Sequence, residues 1–431
     1  MADLAKGTKL LTRDMKKIVV GEKIGEGGQG AVYAVSCHGK PRALKWYAIG
    51  RLKNPEKFHE NLCNNIKKGS PNDSFLWPLD ITELPHKGNG DVPGFGYIMN
   101  LRPPEYRDFS LFLLAREKFA SVTALVNAAL RITAAFRELH NKGYSYQDLN
   151  DGNFFVNPQT GAVLICDNDN VAEYGYNLGI SGKCRYIAPE VLMGQALPGI
   201  HTDKFSLAVV LFLLLFNNHP LEGKKAFPVC MTEELEKTIY GREPVFIFDP
   251  NDNSNEPLAA LNINAIKRWP LFPGYVRDKF TQAFSQTALH DPASRIIEKD
   301  WIKTFIRLRS DIYKCSCGEV YFAQDGEPCP ACTKQQSFEM HIAIGKTRLA
   351  VHRRAKLYHC HTEEGSDDFE TITAEIALNE TTGALELKNR SKKAWLVIDS
   401  AGRQTSKGPV KTAALEKGMS IIFGSVSARI E

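Results

Sequence analysis

The run "FSLAVVLFLLLF", Phe205 to Phe216, holds twelve residues broken only by one serine. A bilayer asks for about twenty. The run is therefore read as a helix buried in a protein core. The chain around it, 431 residues at 43% hydrophobic and 24% charged, has material for one large domain and one or two small ones. Lys and Arg exceed Asp and Glu by 54 to 49. That excess is too mild to argue for nucleic acid or a membrane as partner. The opening "MADLAKGTKLLTRDMKK" has no apolar core of signal-peptide length. A cytoplasmic location is the expectation.

Along the chain, residues 1–14 read as a loose arm. From Ile18 to Leu44 apolar residues alternate around glycines, as in strands joined by tight turns. "NPEKFHENLCNNIKKG" reads as a helix starting near Pro55 and stopping at Gly69. "FGYIMNL" reads as a strand, and Leu111 to Asn141 as helical. Short strands are expected around Phe155 and Leu164, then mostly helices to about Tyr313. The outline is a small sheet lobe followed by a larger helical lobe.

"GEGGQGAVY" places Gly25, Gly27 and Gly30 ahead of Val32. Glycines let backbone N–H groups approach phosphates closely. Dinucleotide folds use the same glycines, but follow them with a helix. Here "AVYAVSCHGKPRALKWY" reads as strand, turn, strand. Val32 and Ala43 would roof an adenine. Lys45 sits on the second strand, where a buried cation can pair with α- and β-phosphates. It needs a carboxylate to hold it, and Glu60 is the expected partner, with Glu56 one turn earlier as runner-up. Further on, "YSYQDLNDGNFFVNPQTGAVLICDNDNV" carries Asp148, Asn153 and Asp167.

With these landmarks, residues from about 18 to 310 resemble the eukaryotic-like Ser/Thr protein kinases. "YIAPE" (Tyr186–Glu190) is similar to the family's Ala-Pro-Glu motif, and "TDKFSLAVVLFLLLF" to its central helix. "NHPLEG", with His219-Pro220, and "DPASRI" follow in order. The resemblance implies that Asp148 receives the substrate hydroxyl and that Asn153 and Asp167 hold Mg²⁺. It implies that Met99, Leu101 and Phe155 join Val32 and Ala43 at the adenine of ATP. It also implies that Asp203 holds the catalytic loop and that Arg295 pairs with Glu190.

Several positions depart from the family's spelling. Gln147 stands where an arginine would bind a phosphorylated activation segment, and the segment from Asp167 to Glu190 has no threonine. Activation by phosphorylating that segment is not expected. Asn150 stands where lysine is usual, and Lys183 where threonine is usual. Those positions face each other in the family, so Lys183 is read as the substrate-side cation. Asn168 replaces a spine phenylalanine, and a hydrogen bond to Asn64 is expected. Asp169 replaces a glycine and adds negative charge near the metals.

"CSCGEVYFAQDGEPCPAC" supplies Cys315, Cys317, Cys329 and Cys332, which resemble a structural zinc ribbon. "HCH" (His359–His361) is read as a strand with its histidines on opposite sides. The tail resembles forkhead-associated sandwiches, on "IGKTRL" with Gly345-Lys346 and on "LEKGMSIIFG".

The expected architecture is α+β: a bilobal protein kinase fold, then a zinc ribbon and a small all-β sandwich. The expected boundaries are an arm at 1–14, the kinase domain at 15–310, the ribbon at 311–336 and the sandwich at 337–431. The expected activity is Mg-dependent transfer of the ATP γ-phosphate to Ser or Thr of protein substrates, in a bacterial setting. The "QDLNDGNFF…ICDNDN" spelling resembles kinases of stress-response triads, which implies a phosphatase and a von Willebrand-type protein as partners. Two alternatives remain open at this point: an ATP-binding pseudokinase scaffold, and a small-molecule kinase.

Overall fold

The computed structural model describes residues 4–28, 30–84, 94–173, 175–179, 182–227 and 231–431. Contacts divide the chain into two units, Met1–Trp269 with Arg277–Ile302, and Pro270–Val276 with Lys303–Glu431.

The first unit opens on an antiparallel sheet: β1 (Lys9–Leu11), β2 (Lys17–Glu26), β3 (Gly30–Cys37), β4 (Lys40–Ala48), β5 (Asp80–Ile81) and β6 (Gly94–Met99). Its strand order is β1-β2-β3-β4-β6-β5. Alternation drives the pairing: Ile18 and Val20 are buried while their neighbours face water. At Gly30 a Cβ would lie 2.2 Å from the Trp46 carbonyl oxygen, so only glycine lets β3 approach β4 there.

The loose arm expected for residues 1–14 is corrected here for its described part; residues 1–3 lie outside the described residues. Lys9–Leu11 pairs with Lys17–Val19, and Leu4 is buried with its N–H donated to the Tyr33 hydroxyl at 3.1 Å. An edge strand offers unpaired N–H and C=O groups, and the arm satisfies them.

Helix α1 spans Pro55–Lys68. The Asn54 side chain accepts the Lys57 N–H, Pro55 takes the first position, and Gly69 ends the helix at φ 76°. Its buried face carries Phe58, Asn61, Leu62 and Asn65. The single helical stretch expected from Leu111 to Asn141 is broken. It forms α2 (Phe109–Leu113) and α3 (Val122–Asn141). Ser121 restarts the chain by accepting the Ala124 N–H at 3.1 Å.

Helix α4 is Pro189–Leu192, and α5 is Ile200–Phe216. Every residue of α5 from Phe205 to Phe216 is buried. The Phe212 ring contacts Phe216, Phe246, Trp269, Phe280 and Phe284. The apolar run thus becomes the spine of the helical lobe. Among the described residues no helix is long and apolar enough to cross a membrane.

In the second unit, strands Ile312–Lys314 and Val320–Phe322 form a hairpin. Residues 270–276 belong with it: the Phe272 ring lies 5.0 Å from Phe322, and the Tyr275 hydroxyl donates to Asp311 at 2.7 Å. Two antiparallel sheets follow. One has six strands, in the order Thr347–Ala350, His341–Ile344, Ser427–Ile430, Ser420–Ile422, Trp395–Ile398, Gln404–Lys407. The other has four: Lys356–Tyr358, Ile372–Leu378, Leu385–Asn389, Thr412–Ala414. Their inward residues, including Ile342, Ile376, Leu387, Trp395 and Ile421, share one core. His359–Thr362 is a helical turn, which corrects the expected strand.

Replacing Phe212 by alanine removes the ring at the centre of the aromatic cluster. The expected cost is about 3–5 kcal/mol of stability, read by denaturant unfolding. A loss within experimental error would mean that α5 does not organise this lobe.

Candidate active site

The strand Tyr144–Ser145 leads into the loop that carries Asp148. Asp203, in the first turn of α5, holds this loop by its backbone. Its carboxylate accepts the Tyr146 N–H at 2.6 Å and the Gln147 N–H at 3.4 Å. His140 of α3 stands behind, with Nε2 3.1 Å from Asp203 and Nδ1 2.7 Å from Glu298. Burial works against a charged imidazole there. The two carboxylates outweigh burial and raise its pKa to about 9.

Past Asp148 the chain folds onto itself. The Asn150 N–H donates to the Asn153 side-chain oxygen at 2.7 Å, and the Gly152 N–H to that of Asn150 at 3.0 Å. The Asn150 amide donates to the Asp148 carbonyl at 3.0 Å and to its carboxylate at 3.3 Å. Lys183 reaches the same amide from the far segment, with Nζ 2.7 Å from Asn150 Oδ1. Burial raises the Asp148 carboxyl to about 6, against the opposing pull of Lys183.

The paired strands Phe154–Val156 and Val163–Ile165 bring Asp167 to this loop. The Cys166 N–H donates to the Asn153 carbonyl at 2.9 Å, and the Tyr146 hydroxyl donates to the Cys166 carbonyl. Asp167 takes a left-handed conformation, φ 57°, uncommon for a residue with a side chain. Asp148, Asn153 and Asp167 therefore share one site. The Asn153 side-chain oxygen has accepted one hydrogen bond and keeps a second lone pair. With the Asp167 carboxylate it offers the hard oxygen donors that suit Mg²⁺.

Lys45, on β4, differs from expectation. Its ammonium lies 3.1 Å from Asp167 Oδ1 and 2.9 Å from both oxygens of Asp169. Asp169 is fully buried and also accepts the Tyr97 hydroxyl at 3.2 Å. Burial disfavours the charge on Lys45, but Asp169 and Asp167 raise its pKa overall. The expected partner, Glu60, is exposed, and so is the runner-up Glu56. With Phe58 and Leu62 turned inward, Glu60 points to solvent. The expected Asn64–Asn168 bond is corrected for the same reason: Asn64 is exposed. Asn168 is buried and donates to the Ile165 carbonyl at 2.9 Å. The inward amides of α1 are Asn61 and Asn65, both donating to the Val171 carbonyl at 2.8 Å.

Gly25 lies in β2 opposite Val32 and Gly30 opens β3; at the connection the Gly27 N–H donates to the Gly30 carbonyl at 2.8 Å, and Gln29 lies outside the described residues. Val32, Ala43, Met99 and Phe155 pack in one apolar cluster with Leu164 and Cys166. Leu101, just past β6, is exposed. Arg295 is bidentate to Glu190, at 2.8 and 2.7 Å, with its side chain 2% exposed. The Ser206 hydroxyl ties α5 to this segment by donating to the Tyr186 carbonyl at 2.6 Å.

The four cysteines of the second unit meet at one point. Cys315 and Cys332 sulfurs lie 3.7 Å apart, as do those of Cys317 and Cys329, and all four are within 4.8 Å of one another. A disulfide needs about 2.05 Å. Four Zn–S bonds of about 2.3 Å in a tetrahedron put the sulfurs about 3.8 Å apart, so the set fits zinc. It is the one group of three or more His, Cys, Asp or Glu of metal-site geometry among the described residues.

Residues 105–286 match the protein kinase domain family. The match and the mixed helix and sheet content support an α+β protein kinase fold for the first unit. Among curated proteins, the chain is 24% identical over 354 residues to protein kinase YegI of Escherichia coli O157:H7, covering 75% of this chain and 50% of that protein. It is 27% identical over 152 residues to protein kinase MCK1 of Saccharomyces cerevisiae, covering 35% and 38%. It is 28% identical over 186 residues to the probable serine/threonine-protein kinase FPV212 of fowlpox virus, covering 40% and 59%. The chain thus spans about half the length of the curated relatives it matches.

Asn61, Asn65 and His140 were not singled out from sequence, and Asp169 was read only as added negative charge, not as the partner of Lys45. The two asparagines sit four apart on the face defined by Phe58 and Leu62, a readable signal.

The His140 cluster sets a pH dependence. A folded pKa of about 9, above the usual 6.5, means its stabilisation is complete below pH 6.5 and lost as pH rises through 9. Melting followed from pH 6 to 10 should lose about 3 kcal/mol in the wild type and much less in His140→Gln. Parallel curves for the two proteins would rule out a charged His140.

Proposed function

We propose that the chain is a protein kinase that transfers the γ-phosphate of ATP to Ser or Thr hydroxyls of proteins. The observation that carries this reading is the convergence of Lys45, Asp148, Asn153 and Asp167 on one site. Phosphoryl transfer asks a protein chiefly for positioning and charge neutralisation. Bound ATP with Mg²⁺ supplies the phosphoryl group and the cation that neutralises its charge. Lys45 contacts the phosphates, and Asn153 and Asp167 hold the metal. Asp148 orients the substrate hydroxyl and takes its proton as the new O–P bond forms and ADP leaves. Lys183, linked to Asp148 through Asn150, brings a cation to the substrate side from the opposite segment.

Phosphorylation of the 167–190 segment is not needed in this reading. In support, Gln147 holds that segment with its neutral amide: Nε2 donates to the Tyr176 carbonyl at 2.6 Å, and Oε1 accepts the Leu178 N–H at 3.3 Å. Lys57 of α1 adds a bond to the Asn177 carbonyl at 2.8 Å. Protein substrate is favoured over a small molecule by the Glu190–Arg295 pair, which braces the segment where a peptide would lie.

The second unit is proposed to carry structural zinc on Cys315, Cys317, Cys329 and Cys332, and a forkhead-associated-like sandwich that docks proteins. Its six- and four-stranded sheets support the latter. The triad-like spelling around Asp148 and Asp167 supports a phosphatase and a von Willebrand-type protein as partners.

Purified protein incubated with γ-labelled ATP and Mg²⁺ should label itself or a generic protein substrate. Asp148→Asn should cut this by about a hundredfold or more. Thermal stabilisation by ATP without any label would instead identify a nucleotide-binding scaffold. Separately, metal analysis should find about one zinc per chain. A strong chelator should lower the melting temperature and expose thiols to titration. Full stability in metal-free protein would overturn the zinc assignment.

A further inference from the structure

Helix α1 and the metal loop present two candidate carboxylates to the same lysine, and only one is in place. The inward stripe of α1 is Phe58, His59, Asn61, Leu62 and Asn65. Successive helix residues are about 100° apart, so Glu60 is carried off that stripe. Asn61 and Asn65 spend their amides on the Val171 carbonyl, a neutral latch. On the loop side, Asp169 lies two residues past Asp167, in the tight turn Asn168–Asn170. Its carboxylate has no solvent exposure. It accepts hydrogen bonds from the Lys45 ammonium and the Tyr97 hydroxyl. A buried carboxylate without a cation is strongly disfavoured.

We propose that Asp169, oriented by the Tyr97 hydroxyl, is the positioning residue that holds Lys45 for the ATP phosphates, in the role that kinases assign to a glutamate of the first helix. The proposal rests on the kinase reading for its chemistry, but the pairing itself is independent of turnover. It carries a consequence for regulation. In kinases that use a helix glutamate, moving the helix breaks the lysine pair and stops transfer. Here the lysine and its carboxylate both belong to elements other than α1. Displacing α1 leaves the pair intact, so control through that helix has to act on the Val171 latch and the loop behind it.

The decisive comparison is Asp169→Asn against Glu60→Gln in the full chain. Asp169→Asn should weaken MgATP binding and raise KM for ATP by about tenfold or more, since it removes a buried charge-assisted bond. Glu60→Gln should change either quantity by less than about twofold, as for an exposed charge. In nucleotide-free protein, acylation of Lys45 mapped by mass spectrometry should speed up in Asp169→Asn and stay unchanged in Glu60→Gln. Should Asp169→Asn fail to fold, Tyr97→Phe removes only the orienting hydroxyl and should raise KM for ATP by about threefold. A larger effect of Glu60→Gln than of Asp169→Asn, on ATP binding or on Lys45 acylation, overturns the proposal. If the wild type binds ATP without transferring it, the kinase reading fails, while the binding and acylation contrasts still decide the pairing.

Discussion

Two opposite charges, Lys45 and Asp169, lie buried within 2.9 Å of each other under the sheet lobe. Neither survives there alone: removing one partner of a buried pair costs about 3–5 kcal/mol, because the other charge is left uncompensated. The pair therefore fixes the turn at Asn168–Asn170. That turn follows Asp167, which takes a left-handed conformation with its carboxylate 3.1 Å from Lys45. It also presents the Val171 carbonyl to Asn61 and Asn65, which fixes α1, and directs the Asn170 amide to within 3.4 Å of Asp148. Sheet, helix and the loop that carries Asp148 are thus referenced to one ion pair.

The helical lobe supplies the other reference. Helix α5 is apolar on every side because it is surrounded. Its first turn, at the edge of the apolar run, carries the carboxylate that holds the loop before Asp148. Asp203 takes two backbone N–H groups of that loop, and His140 neutralises it while tying in Glu298. Charge is placed where backbone must be held, and apolar mass is placed where shape must be held. The Glu190–Arg295 pair repeats the device for the segment beyond Asp167.

Much of this was legible in the sequence, for a physical reason. In the proposed reading, phosphoryl transfer requires particular residue types, and that requirement is what picked out Lys45, Asp148, Asn153 and Asp167 in order. The cysteine spacing does the same for the sulfur cluster. Helix α1 was legible in extent, since Asn54, Pro55 and Gly69 mark its ends, yet its phase was misjudged. Glu60 and Asn64 were read by position relative to Lys45, whereas Phe58 and Leu62 decide which face turns inward. Had the apolar stripe been used first, Asn61 and Asn65 would have been the inward pair. Asp169 was noticed as a charge but not as a partner, because the contact spans 124 residues of chain. The break near Ser121 was missed because apolar spacing continues across it, and β1 because three residues are too few for a periodicity.

The most direct test of the account is a double-mutant cycle on MgATP affinity, pairing Lys45→Met with Asp169→Asn and, in parallel, with Glu60→Gln. Residues in contact couple by about 0.5–3 kcal/mol, and distant ones add within about 0.5 kcal/mol. The account predicts clear coupling of Lys45 to Asp169 and additivity with Glu60. Additivity with Asp169 together with strong coupling to Glu60 would contradict it.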